Sequence, residues 1–144
     1  AVLLAPIIVT ASAKEWLKRR TDSAMIAMYD RMARYARTRT ATYILRDTLK
    51  RFDSSPVPMS RIIGMFVMAP LPRMASCSGV SFYLNGGPYA SNVPLDDAFF
   101  PNQVEASEVY DAPRIPSEMA IPPFRSGGMS YMLPCRVIAL WTRR

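Results

Sequence analysis

The sequence predicts an α+β domain, a small mixed β-sheet flanked by two N-terminal helices and by short helical turns. Three observations carry this. Met25, Met28, Tyr29, Met32 and Ala36 recur at the spacing of one helix face. Beyond residue 54, short runs of β-branched and aromatic residues alternate with turn residues. Most of the 13 prolines also fall in that second part, where they cut helices short. A length of 144 residues corresponds to about one domain, with enough chain for its own core.

Residues 1–13, AVLLAPIIVTASA, form an apolar start that stands apart from the domain at 14–144. Ile7, Ile8 and Val9 are β-branched and suit an extended strand. The first helix is expected over about residues 22–37, with its methionine stripe in the core and Arg31 and Arg34 off that stripe. A second helix is expected over about 40–51. Thr40 would cap it. Leu45, Leu49 and Phe52 would form its buried stripe, and Arg46 and Lys50 would face outward. Pro56 and Pro58 end it.

The rest reads as strands and turns. The run at 62–68, IIGMFVM, is read with the strands. Residues 80–84 form a strand stopped by the turn residues Asn85-Gly86-Gly87-Pro88. Residues 96–103 make one helical turn started by Asp96 or Asp97. Residues 104–110 form a further strand. Residues 136–142, RVIALWT, are apolar enough for a central strand that places Trp141 in the core.

Composition excludes several functions. Half the residues are apolar, so the signature of disorder is absent. There is no histidine, which removes Ser-His-Asp triads, His-based acid/base chemistry and most zinc and haem sites. No apolar run reaches the length of a membrane-spanning helix. Glu105 and Glu108 are three apart and would point to opposite faces of a strand, so they make a poor acid/base pair. A non-enzymatic protein is expected, with no cofactor and no metal.

Charge is uneven. Residues 1–53 hold eleven Lys and Arg against five Asp and Glu, and the remainder is nearly balanced. Lys18, Arg19, Arg20, Arg31, Arg34, Arg46 and Lys50 form a candidate basic face. A solvated helix face explains it, and so does a polyanion partner such as lipopolysaccharide. Nucleic acid is disfavoured because no readout motif accompanies the charge. Trp16 sits beside this basic stretch and is read as a staple onto the first helix.

The chain resembles the plug domain of TonB-dependent outer-membrane receptors. Pro6-Ile7-Ile8-Val9-Thr10-Ala11 resembles the apolar segment that opens such plugs and overlaps their TonB box. Thr40–Phe52 resembles the helix with the T-x-x-x-L-L-R pattern. Phe82-Tyr83-Leu84-Asn85-Gly86 resembles the strand and turn that end in Leu-Asp-Gly. Residues 104–110, with Pro113, resemble V-E-x-I-E-V-Y-R-G-P. Residues 137–143 resemble the closing strand G-V-I-x-I-W-T-R. The matches run in the family's order and span most of the chain. Asn85 stands where the family has Asp, Asp111-Ala112 replaces Arg-Gly, and Arg136 replaces a glycine.

The resemblance implies a plug-like domain without its barrel, since a chain of 144 residues is too short for both. It implies a role in outer-membrane ligand uptake or signalling, at the periplasmic side of the outer membrane or free in the periplasm. The implied partners are the C-terminal domain of TonB and an outer-membrane β-barrel. Ile7, Ile8, Val9, Thr10 and Ala11 are then either a TonB box or the domain's first strand. Cys77 and Cys135 each lie just before an expected strand. They are either buried free thiols or a disulfide, and the resemblance favours the disulfide.

Overall fold

The computed structural model describes residues 23–35, 38, 40–67, 69–119, 124–125, 128–129 and 133–143. Its centre is a five-stranded mixed sheet, and the fold class is α+β as expected. The strands are β1 (Ala41–Leu45), β2 (Val80–Leu84), β3 (Gly87–Tyr89), β4 (Val104–Asp111) and β7 (Arg136–Thr142). Their order across the sheet is β1-β4-β7-β2-β3, and only the β2–β7 pairing is parallel. β7 is the middle strand, and Val137 to Trp141 are all buried, as its unbroken apolar run requires. A short ribbon of β5 (Phe124–Arg125) and β6 (Gly128–Met129) lies apart.

Helices cover both faces. On one side, α1 (Ser23–Tyr35) lays Met28, Tyr29 and Met32 onto Ala106 and Trp141. Met25 and Ala36 of the expected stripe lie outside the residues whose side chains are described. On the other side, α3 (Met59–Phe66) and α4 (Leu95–Ala98) bury Met59, Ile62, Ile63 and Leu95 against Ile44, Val109, Ile138 and Leu140. The helical turn expected near Asp96 is α4 followed by a 3-10 turn, Pro101–Gln103.

Two expectations are corrected. The second helix does not start at Thr40. Residues Ala41–Leu45 are strand β1, and α2 (Arg46–Leu49) with a 3-10 turn, Lys50–Phe52, is all that remains of it. Thr42, Tyr43 and Ile44 favour a strand locally, and pairing with β4 provides the place for one. Residues 62–66 of the run at 62–68 are not a strand. They are the body of α3, whose Met59, Ile62 and Ile63 share one buried face at i, i+3 and i+4.

The turn after β2 is built on Asn85 and Gly86. Asn85 has φ 51° and Gly86 has φ 90°, the paired positive values of a tight hairpin turn. Asn tolerates that region better than most residues. Its Oδ1 accepts the Thr142 backbone N–H at 2.9 Å, tying the hairpin to the end of β7.

Candidate functional site

The most concentrated chemistry lies beneath α1. Glu108 sits on β4 opposite Tyr43 of β1 and Ala139 of β7, and it is fully buried. Arg31 of α1 reaches down to it as a fork. Nε donates to Oε1 at 2.9 Å and Nη2 donates to Oε2 at 3.0 Å. Tyr110 Oη donates to Oε1 at 2.5 Å and Trp141 Nε1 donates to Oε2 at 2.8 Å. The carboxylate thus accepts four hydrogen bonds, two per oxygen, which offsets the cost of burying its charge. Tyr43 completes the chain, its hydroxyl 2.9 Å from that of Tyr110. Since Tyr110 gives its proton to Glu108, Tyr43 donates to Tyr110. Tyr35 and Tyr43 both meet the Tyr110 ring edge-on.

The surroundings shift these groups in consistent directions. Burial opposes the charge on Arg31, but its hydrogen bonds and charge contact with Glu108 outweigh burial and raise its pKa. Burial, and next the Glu108 charge, push the Tyr110 hydroxyl far above its usual range. Burial raises Tyr43 and Tyr83. Tyr29 is pushed up to about 12, by burial first and then by the Glu105 and Asp47 charges. Every shift favours the protonated form. The cluster is a hydrogen-bonded clasp that ties α1 to the sheet.

Of the four candidate basic residues that are described, two turn inward and two are exposed. Lys18, Arg19 and Arg20 lie outside the described residues. Arg31 is not a surface cation but is 4% exposed and bound to Glu108. Arg46 also turns inward. It donates to the backbone oxygens of Pro101 and Val104 at 3.0 and 2.6 Å and pairs with Asp53. Arg34 and Lys50 remain exposed, Arg34 beside Glu118. Buried carboxylate and carbonyl oxygens on β4 and its approach draw the two arginines in.

Sequence patterning does not single out Glu108 as a binding residue. The available signal is a glutamate at mid-strand just before Val109 and Tyr110, where burial implies a cation partner. The strict alternation expected of Glu105 and Glu108 also fails, because the register shifts between Val104 and Ala106.

Cys77 and Cys135 form a disulfide, with Cα atoms 4.9 Å apart. It fastens the starts of the parallel neighbours β2 and β7, next to the Cys77–Leu133 bridge. Two charged residues at one end of the central strands are also partners. Asp111 and Arg136 face each other in the β4–β7 register. Arg136 Nε donates to Asp111 Oδ1 at 2.6 Å and its Nη2 to Oδ2 at 3.0 Å. Ile7 to Ala11 lie outside the described residues. Among the described residues, no cluster of His, Cys, Asp and Glu suits a metal ion.

No family model matches the chain, and no curated protein does. A solved structure that matches is the siderophore receptor PirA from Pseudomonas aeruginosa, at TM-score 0.38 and 18% identity, over 73% of this chain. The match spans 18% of that receptor's chain, so this chain corresponds to a fraction of its length.

Proposed function

We propose that this chain is a non-enzymatic, plug-like domain of the TonB-dependent receptor type, acting in outer-membrane ligand uptake or signalling. One observation supports the reading above the others. The four quoted segments at 40–52, 82–86, 104–110 and 137–143 supply β1, β2, β4 and β7, and these are four contiguous strands of one sheet. Scattered chance matches to short apolar motifs have no reason to fall side by side. The two departures Asp111 and Arg136 compensate each other, so the loss of a family glycine leaves the sheet intact.

In this reading Ile7–Ala11 is an extended segment that pairs through its backbone with the edge of a partner sheet. In the chain, α1 lies between that segment and the sheet, and Arg31 anchors α1 to Glu108. The inward turn of Arg31 and Arg46 removes two cations from the competing polyanion surface. The test is a calorimetric titration of the chain with the periplasmic C-terminal domain of TonB, beside a control lacking residues 1–11 with an unchanged circular-dichroism spectrum. Binding by the full chain that the control loses is the expected result. No binding by the folded full chain removes energy coupling from the function.

A further inference from the structure

We infer that Asn85 is a self-modification site, which the chain converts to aspartyl and isoaspartyl forms through a cyclic imide with Gly86, at a rate set by Thr142. This goes beyond the receptor reading and does not depend on it.

The reaction needs an asparagine followed by an unshielded backbone nitrogen. The chain has three asparagines, Asn85, Asn92 and Asn102, and they are followed by Gly86, Val93 and Gln103. Only at Asn85 does the next residue lack a side chain, so that another group can approach its backbone closely. Asn85 and Gly86 are both exposed, and they form the two-residue turn between β2 and β3. The Gly86 nitrogen attacks Cγ of Asn85, and a Cγ–N bond forms. The Cγ–Nδ2 bond breaks, and Nδ2 leaves as ammonia with the proton given up by Gly86. Water then opens the imide. Cleavage of the new Cγ–N bond yields an aspartyl side chain. Cleavage of the original peptide bond instead routes the main chain through Cβ and Cγ, the isoaspartyl form.

The fold restrains this reaction. Asn85 Nδ2 donates to Thr142 Oγ1 at 3.0 Å, and Oδ1 accepts the Thr142 backbone N–H at 2.9 Å. Both bonds draw the amide across to β7, the parallel neighbour of β2. Ring closure folds the side chain back onto the Gly86 nitrogen, so the amide must first release Thr142. The two products differ in what they keep. An aspartyl carboxylate still accepts from the Thr142 N–H and hydroxyl. An isoaspartyl linkage lengthens the main chain inside the turn that pairs Leu84 with Gly87.

The test incubates the full chain at mildly alkaline pH, folded in buffer and unfolded in urea, and follows each asparagine by peptide mapping with mass spectrometry. The expected result is conversion to both products at Asn85, with Asn92 and Asn102 left intact. The folded chain should react at least about tenfold more slowly than the unfolded one, since two hydrogen bonds must break first. Thr142→Val removes the hydroxyl but keeps the side-chain shape and the backbone N–H. It should convert about fivefold faster than the parent, with an unchanged circular-dichroism spectrum. Thr142→Ser keeps the hydroxyl and should keep the parent's rate. Conversion at Asn92 or Asn102 ahead of Asn85 overturns the proposal. So does an intact Asn85 in the folded chain after an incubation many times longer than the unfolded chain needs. Equal rates for folded and unfolded chain, a rate untouched by Thr142→Val, or the same acceleration by both variants overturns the control by Thr142.

Discussion

Glu108 shows how one side chain orders its neighbours. It is fully buried, and its four donors come from α1, β4 and β7. Removing Arg31 would leave a carboxylate in the core with two donors in place of four and no cation. Replacing one partner of such a pair costs about 3–5 kcal/mol, most of it the penalty for the abandoned charge. Arg31→Met should therefore lower the unfolding free energy by about that amount in urea titrations. Adding Glu108→Gln should restore part of the loss, because the buried charge is gone, the amide oxygen can accept from Trp141 and the amide NH2 can donate to a turned Tyr110 hydroxyl. A double variant as unstable as the sum of both singles would show that the two residues are not coupled. Arg34→Met, on the exposed side of α1, should change stability by no more than about 0.5 kcal/mol.

Strands are legible in the sequence where composition and pairing agree. β2 and β7 are largely apolar runs and β4 a run of Val, Ala and Tyr carrying two glutamates, and all three fall where expected. β1 is masked because Leu45, Leu49 and Phe52 hold helical spacing across a real boundary. Only the last two belong to the helical turns, whereas Thr42 to Ile44 are drawn into the sheet by β4. α3 is hidden by a choice of window. Counting from Met59 rather than Ile62 reveals the helical period. The disulfide is half legible. Two cysteines before two strands meet only if those strands are neighbours, and that is a fact of topology. Here β2 and β7 are parallel partners, so the two strands begin at the same end of the sheet. A crosslink over a separation of 58 residues restricts the unfolded chain by about 4 kcal/mol in the chain-entropy treatment. The Cys77→Ser, Cys135→Ser double variant should lose about that stability in denaturant titrations, and a reductant should reproduce the loss in the parent chain. A reductant that leaves the parent's midpoint unchanged while both thiols become free to alkylation would contradict it.

At the scale of the whole molecule, the two faces of the sheet are fastened differently. The α3 side is an apolar cluster. The α1 side combines methionines with Tyr29, Tyr43, Tyr83 and Tyr110 around one ion pair, with the Tyr83 hydroxyl bonded to the Met119 oxygen at 3.3 Å. All four tyrosines are raised above the ordinary 10.0, burial being the largest cause for each. An unfolded chain releases these protons near pH 10, and the folded chain keeps them to higher pH. Between those limits the native state binds more protons, so stability falls as pH rises. Below about pH 10 the contribution is complete. Each tyrosine lowers stability by about 1.4 kcal/mol for each pH unit between its unfolded and folded values. The guanidinium of Arg31 stays charged throughout, so the ion pair does not compensate. The chain should hold its urea midpoint from neutral pH to about pH 9 and then lose it steeply, with tyrosinate formation at Tyr29, Tyr43, Tyr83 and Tyr110 appearing together with unfolding rather than before it. Tyr29→Phe, which removes a group raised to about 12, should make that decline shallower. Tyrosinate formation by these four tyrosines in a still-folded chain would show that the α1 face opens to solvent without global unfolding. The expected coincidence of the two signals instead ties the clasp at Glu108 to the cooperativity of the entire fold.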